Sequence, residues 1–488
     1  MEVMMKRLTR IAPIAALALL LTGCVLLGLY GEGMDTATDS PFGFHPASVH
    51  HPGYAQSGFS DALELGIGWA REGVYAFWFL IQPDLAATAY DFSLHDRQWG
   101  DIPPGIRILG NIAPQGTRDE GRCGPRSCMP LDVPAYEAFV RATVERYDGD
   151  GIDDMPNLRN PIVTWQVSNE PNTVSFPDFA ELQRITYGAI KDACPSCSVL
   201  VGGVAGMPYD YIDSFDRFYA PFLTELAGEA VDVFDFHWFG LADGDYLLRD
   251  RRTGEDVLEH LRDTLATSGF SEGLPIWITE MGSYSGDPEE IRQVEGGSFP
   301  YQTEREQAAD LFKRHIYSLA QGVEKIFPAF GVIEGFMHDD GYFDHTGLVY
   351  DGEGADDPGL GVKKLAYYAY RRMTDELQGC DWSTVRMVRD GATNNHVYLF
   401  AVEREMREIY IAWWDTFSEA EYIKGDVRPI LLDELAATNI TVKPVVPTAT
   451  RGIDVVDYST TFSDSTQPVE AGSARVILDD SPVIIVPD

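Results

Sequence analysis

Two acidic residues in this 488-residue chain stand where they can do chemistry. Glu170 closes the run Trp165-Gln166-Val167-Ser168-Asn169-Glu170-Pro171, and Glu280 closes Trp277-Ile278-Thr279-Glu280-Met281-Gly282. In both, an apolar stretch delivers a carboxylate just beyond its end. A carboxylate placed there faces either an open sheet end or a structural partner. Paired carboxyl groups suit the cleavage of sugar acetals, with one protonated and one ionised. In the variant that passes through a covalent ester they stand about 5–5.5 Å apart. Mutual repulsion and burial are expected to raise the pKa of the proton donor, while the nucleophile stays charged. The plain structural alternative is that Glu170 caps a turn and Glu280 pairs with Arg71 as a buried salt bridge.

The elements that must position such residues are legible as an alternation of short apolar runs and amphipathic stretches between about residues 41 and 374. The runs are Phe42-Gly43-Phe44, Leu65 to Arg71, Ile106 to Ile112, Ile162 to Val167, Val199 to Val204, Val231 to His237, Pro275 to Thr279 and Lys325 to Phe330. Near-continuous apolar runs predict parallel strands buried on both faces. One intervening helix carries Tyr136, Phe139, Val140, Val144 and Tyr147 on a single face. Others carry Phe179, Leu182, Ile185 and Ile190, or Val257, Leu258, Leu261 and Leu265. Thr303 and Glu306 form a predicted capping box. The fold class expected is α/β: a (β/α)8 TIM barrel over residues 41–374, whose chemistry sits at the carboxyl ends of the strands. A doubly wound sheet is the alternative, but no glycine-rich phosphate turn follows the first strand. From 375 to 488 the pattern changes to short β-rich runs separated by turn residues, which predicts a C-terminal β-sandwich domain. That domain either covers the barrel or binds carbohydrate by itself.

The two glutamate motifs resemble those of clan A retaining glycoside hydrolases, including β-xylosidase and cellulase-like members. The likeness runs from about residue 42 to 372. It implies Glu170, in Asn169-Glu170-Pro171, as acid/base, and Glu280, in Thr279-Glu280-Met281-Gly282, as nucleophile. It also implies that Asn169 bonds the sugar's 2-hydroxyl, that Arg71 holds the nucleophile ionised, and that His237 is the sixth-strand histidine. Trp238, Tyr284, His45 and Phe330 complete the candidate substrate-binding set. Two positions depart from the pattern. Phe239 stands where many members carry a tyrosine, and Pro328 lies where many place a tryptophan. The resulting expectation is cleavage of β-glycosidic bonds in oligo- or polysaccharides through a covalent intermediate. The alternative is a non-catalytic carbohydrate-binding lipoprotein on an inactive barrel.

Apolar residues make up 45% of the chain, which reads as globular. Net charge is -39, with 37 cationic residues in all. So acidic a surface repels phosphates, and no nucleic-acid partner is expected. The acidity fits a salty habitat, and the preference for Arg over Lys fits a GC-rich genome equally. Lys6, Arg7 and Arg10 precede an apolar run and then Leu21-Thr22-Gly23-Cys24, the order of a secretory signal. The tetrapeptide resembles a bacterial lipobox. On this reading residues 1–24 are a signal, Cys24 is lipidated and 25–40 form a tether, which places the protein at the cell surface or in the periplasm. An uncleaved span over 11–30 is the rival. Cys123 and Cys128, and Cys194 and Cys197, are candidate local disulfides; four zinc ligands or a redox C-x-x-C are the alternatives. Cys380 is left over. His338, Asp339, Asp340, Asp344 and His345 read as a polar cleft loop, with a metal site as the alternative. No HExxH, P-loop or nucleophile elbow occurs, and neither metal nor cofactor is expected.

Overall fold

Every one of the eight apolar runs forms a parallel strand in the computed structural model. It describes residues 40–488 apart from 87–88, 115–128, 172–173, 289–298, 339, 355–356 and 420. The strands are β1 (Gly43–Phe44), β2 (Trp69–Ala70), β3 (Ala76–Phe77), β4 (Arg107–Ile108), β5 (Gly110–Ala113), β6 (Thr164–Val167), β7 (Ser198–Val201), β8 (Phe234–Trp238), β9 (Ile276–Met281) and β10 (Lys325–Pro328). The third run is interrupted at Leu109, and β3 is a short segment the apolar pattern does not announce. Three parallel sheets result, in the orders β1-β2-β4, β3-β5-β6-β7 and β10-β9-β8. Parallel bridges Phe42↔Ile326 and His45↔Ala329 link β1 to β10, and Leu200↔Val233 and Val204↔Phe236 link the β7 and β8 segments.

The helices between the strands follow their apolar faces. Helix Val133–Tyr147 buries Tyr136, Phe139, Val140, Val144 and Tyr147, and is capped by Asp132, which accepts from Ala135 N. Helix Glu304–Ala320 opens with the predicted capping box of Thr303 and Glu306. Inside the strands, Trp69, Leu109, Leu200, Val233, Trp277 and Phe327 form a separate apolar layer. Gly43 is required beside it: a Cβ there would lie 2.5 Å from the Phe327 ring.

After helix Leu365–Leu377 the chain becomes antiparallel, with strands β11 (Asp381–Arg389), β12 (Val397–Arg404), β13 (Arg407–Trp414), β14 (Arg428–Leu432), β15 (Asn439–Pro444), β16 (Ser465–Pro468), β17 (Ala474–Leu478) and β18 (Val483–Pro487). Six form one sheet, β11-β12-β13-β18-β15-β16, and β14 pairs with β17 as a ribbon. The segment from Ala474 to Pro487 forms two strands. Asp479-Asp480-Ser481-Pro482 breaks it, sending β17 to the ribbon and β18 to the middle of the sheet. One sheet face carries Val397, Leu399, Ala412 and Ile485 against Ile430 and Val476 of the ribbon, an arrangement that fits a β-sandwich. The other face sends Phe400 and Trp413 into the same core as helix Glu304–Ala320. Trp413 Nε1 donates to the Tyr246 hydroxyl at 3.2 Å. Cys194 and Cys197 form a disulfide, and Cys380 is free and buried. No helix of the described residues is long and apolar enough to cross a membrane. Cys24, Cys123 and Cys128 lie outside the described residues.

Candidate active site

Polar side chains on the strands gather two residues beyond the apolar layer. Period-two alternation carries Trp69, Leu109, Val233 and Trp277 on to Arg71, Asn111, Asp235 and Thr279 on the same face. Gln166 of β6 ties them together. Its carbonyl oxygen accepts from Arg71 Nε at 2.9 Å and from Asn111 Nδ2 at 2.9 Å. Its amide nitrogen donates to Asp235 and, at 3.3 Å, to Thr279 Oγ1. Asp235 also accepts from Thr279 N at 3.0 Å and Oγ1 at 2.7 Å. Burial pushes its carboxyl up to about 6, with His237 opposing.

Glu280 joins this layer through a break in register. Phe236 of β8 faces Ile278 of β9, but His237 faces Glu280. The extra residue lets Thr279 and Glu280 both reach interior partners, as a bulge does when it re-aims a side chain. Arg71, fully buried, donates to Glu280 Oε1 at 2.7 Å and to Asn169 Oδ1 at 2.6 Å. His45 Nε2 is 3.6 Å from the same Glu280 oxygen, while its Nδ1 lies 2.6 Å from the Arg71 carbonyl. Burial and the Arg71 charge hold this imidazole well below the usual histidine range.

Glu170 sits at the end of a strained turn. Ser168 and Glu170 have φ of 62° and 43°, left-handed values that cost a non-glycine residue energy and collect at functional sites. Asn111 Nδ2 pins the turn by donating to the Ser168 carbonyl at 2.8 Å. The two glutamates differ in exposure: the Glu170 side chain is 35% accessible and that of Glu280 is 3%. His237 lies between them, its Nδ1 2.8 Å from Glu170 Oε1 and 3.4 Å from Glu280 Oε2. One carboxylate oxygen from each glutamate and an imidazole nitrogen all lie within 4.8 Å of one another. Gly203 makes this possible, because a Cβ there would be 2.0 Å from His237 Nε2.

The electrostatics depart from the sequence expectation. Burial pushes the Glu170 carboxyl up, but the hydrogen bond and charge of His237, with Arg71 adding, hold it below the ordinary carboxylate value. Burial acts on His237 in the neutralising direction and is outweighed by Glu280 first and Glu170 second, so that imidazole is raised. The same three side chains have the spacing to hold a cation, and Arg71 engages Glu280 through Oε1 while Oε2 faces His237.

Of the predicted site residues, Glu170, Glu280, Asn169, Arg71, His237 and His45 converge. Phe330 stands beside them, its ring 5.6 Å from that of His45. Trp238 and Tyr284 do not. Trp238 is fully buried against Tyr211, with Nε1 donating to the Asp245 carbonyl at 2.7 Å. Asp235 and His237 face inward, so alternation sends Trp238 outward. Tyr284 is buried against Phe299 and Tyr342, and its hydroxyl donates to the Pro300 carbonyl at 2.6 Å. Neither ring offers a face to a sugar. Asp344 organises its own loop, accepting from His338 N at 3.0 Å and Asp340 N at 2.9 Å; Asp339 lies outside the described residues. Sequence reasoning gives no role to Asn111, Gln166, Asp235, Thr279 or Tyr75. The first four had a signal, polar residues at alternate positions in otherwise apolar strands. Tyr75, whose ring is 5.3 Å from the Arg71 guanidinium and stacks on His45, had none.

No protein-family model matches the chain, and no curated protein matches it. Solved structures do. A family 39 glycoside hydrolase from the gut symbiont Bacteroides cellulosilyticus WH2 superimposes with a TM-score of 0.62 at 17% identity, over 94% of this chain and 82% of that one. A glucosidase from Croceicoccus marinus gives 0.58 at 14% identity, over 92% and 98%. A family 51 α-L-arabinofuranosidase from Bifidobacterium longum gives 0.56 at 12%, over 92% and 96%. The likeness to clan A glycoside hydrolases is thus one of fold.

Proposed function

We propose that the protein is a retaining glycoside hydrolase of clan A that cleaves β-glycosidic bonds in oligo- or polysaccharides. The observation that carries this reading is the approach of Glu170 and Glu280 to within 4.8 Å through carboxylate oxygens. That spacing is nearer the separation of about 5–5.5 Å that suits a covalent mechanism than the about 6.5–9.5 Å of an inverting pair. In the same reading the parallel strands continue round as a (β/α)8 barrel, the C-terminal strands are a sandwich domain from residue 375, and Cys24 carries a lipid anchor after export.

The chemistry follows from the unequal surroundings of the two carboxylates. Glu280, clamped by Arg71, attacks the anomeric carbon. The bond to the leaving oxygen breaks as Glu170, more exposed and hydrogen-bonded to His237, gives that oxygen a proton. Glu170 then takes a proton from water, whose oxygen attacks the same carbon and releases Glu280. Asn169, its Oδ1 held by Arg71, is oriented to hydrogen-bond the sugar's 2-hydroxyl as charge develops. No step needs a cofactor.

The test is hydrolysis of 4-nitrophenyl β-glucoside and β-xyloside. Turnover by the wild type, its loss in Glu280→Ala, and azide rescue of that variant to the glycosyl azide of inverted configuration support the reading. Unchanged turnover without Glu280 would sink it. For the anchor, Cys24→Ser is expected to release the protein from membranes, and retention would favour an uncleaved span.

A further inference from the structure

Beside His45, at the carboxyl ends of β1, β2 and β10, lies a cavity of about 280 Å3 bounded by Pro46, His50, Glu72, Gln98, Phe330 and Phe336. It adjoins a larger hollow of about 640 Å3 that shares His50, Glu72 and Gln98 as walls and reaches Arg97 and Asp101. None of the residues assigned above to bond-breaking lines either space. Together they form a trough leading away from the carboxylate pair.

Its walls have the chemistry of a sugar site. Phe239, Phe330 and Phe336 form a near-parallel row, with centroids 5.9 Å apart at 19° and then 4.5 Å apart at 16°. The row begins at buried Phe239 next to His237 and ends at Phe336, which is 45% exposed. The exposed aromatic at the end of the stack offers a flat apolar face, and the C–H face of a pyranose is a partner for it. Polar groups stand opposite. Glu72 is committed to the wall itself, accepting from Ala47 N at 3.0 Å and Ser48 N at 3.2 Å and from the Ser48 hydroxyl. Gln98 and His50, which line both spaces, are placed to meet hydroxyl groups.

The direction of the trough decides which part of the substrate it takes. A general acid must reach the leaving oxygen, so the aglycone departs on the side of Glu170, which follows β6. The cavity lies past Glu280 and His45, among segments following β1, β2 and β10. Resting on the carboxylate roles proposed above, we infer that this cavity is a second sugar site on the glycone side, so that preferred substrates carry at least two sugar units before the scissile bond.

The experiment compares 4-nitrophenyl β-cellobioside with the β-glucoside, and β-xylobioside with the β-xyloside, in wild type, Phe336→Ala and Gln98→Ala. Wild type is expected to prefer one bioside over its monoside by about tenfold or more in kcat/KM, as one stacking contact with its hydrogen bonds provides. Phe336→Ala and Gln98→Ala are expected to lose about tenfold on the bioside and to stay within about twofold on the monoside. Equal losses on both substrates, or a wild type indifferent to the second unit, would overturn the inference. Should no glycoside be cleaved, the carboxylate roles fail first. Titration of cellobiose and xylobiose then separates the cases: binding weakened by Phe336→Ala keeps the site, and absence of binding removes it.

Discussion

The same strands carry two inner layers of opposite character. Below are Trp69, Leu109, Leu200, Val233, Trp277 and Phe327, a buried and mainly apolar cluster. Two residues further along lie Arg71, Asn111, Asp235 and Thr279, each hydrogen-bonded to Gln166. The backbone does not distinguish them, since residues i and i+2 of a strand share a face. What differs is the cost of burial. Apolar rings gain by leaving water, whereas each buried polar group must find a partner or destabilise the fold by roughly 1–3 kcal/mol. The lower layer can tolerate a change of shape; the upper one depends on particular atoms. The proposed chemistry sits on the layer that the other one holds in place.

Substitutions in the two layers are therefore expected to separate rate from stability. The largest effect belongs to Glu280→Ala, for which kcat falls by about 10^4-fold or more, in the range seen when a nucleophile is removed. Glu170→Ala lowers kcat by about 10^2–10^4-fold on a substrate with a poor leaving group, as loss of a general acid does. Its effect is smaller on an activated aryl glycoside, which departs without a proton. Steady-state kinetics on both substrates reads the difference, and equal losses would contradict the acid role. In the lower layer, Trp277→Ala is expected to cost about 3–5 kcal/mol of stability by denaturant unfolding while kcat per folded molecule stays close to wild type. A collapse of kcat in a protein still folded would erase the distinction between the layers.

A smaller and more diagnostic effect comes from His237→Gln. His237 lowers the Glu170 carboxyl, so its removal leaves burial to raise it. The basic limb of the kcat/KM profile should move to higher pH, and a shift to lower pH would contradict the assignment. Stability carries the complementary sign. The raised imidazole contributes fully below the unfolded histidine value of about 6.5, and that contribution is lost as pH rises through the folded value. The lowered Glu170 contributes fully above about 4.3, and that contribution is lost as pH falls through its folded value. Wild type and variant should thus differ most between about pH 4.3 and 6.5.

Much of this arrangement was legible in the sequence because it is periodic. Eight apolar runs announced the parallel strands, and strand-end carboxylates announced Glu170 and Glu280. The same period, read one step further, would have turned Trp238 outward, since Asp235 and His237 already claim the inner face. Other features were hidden because no local pattern encodes them. The register break that brings Glu280 opposite His237 exists only between two strands. The lowering of Glu170 arises from a histidine 67 residues away. Tyr284 was misread for a similar reason, since Phe299 and Tyr342, which bury it, are distant in the chain.

The central claim, that Glu280 attacks while Glu170 serves as acid and then base, fixes the stereochemistry of the product. Proton NMR of the first-formed sugar, recorded before mutarotation on whichever aryl glycoside the enzyme turns over, reads this directly. The expected first product is an anomer of the same configuration as the substrate. An inverted anomer would mean that water, and not Glu280, reaches the anomeric carbon first.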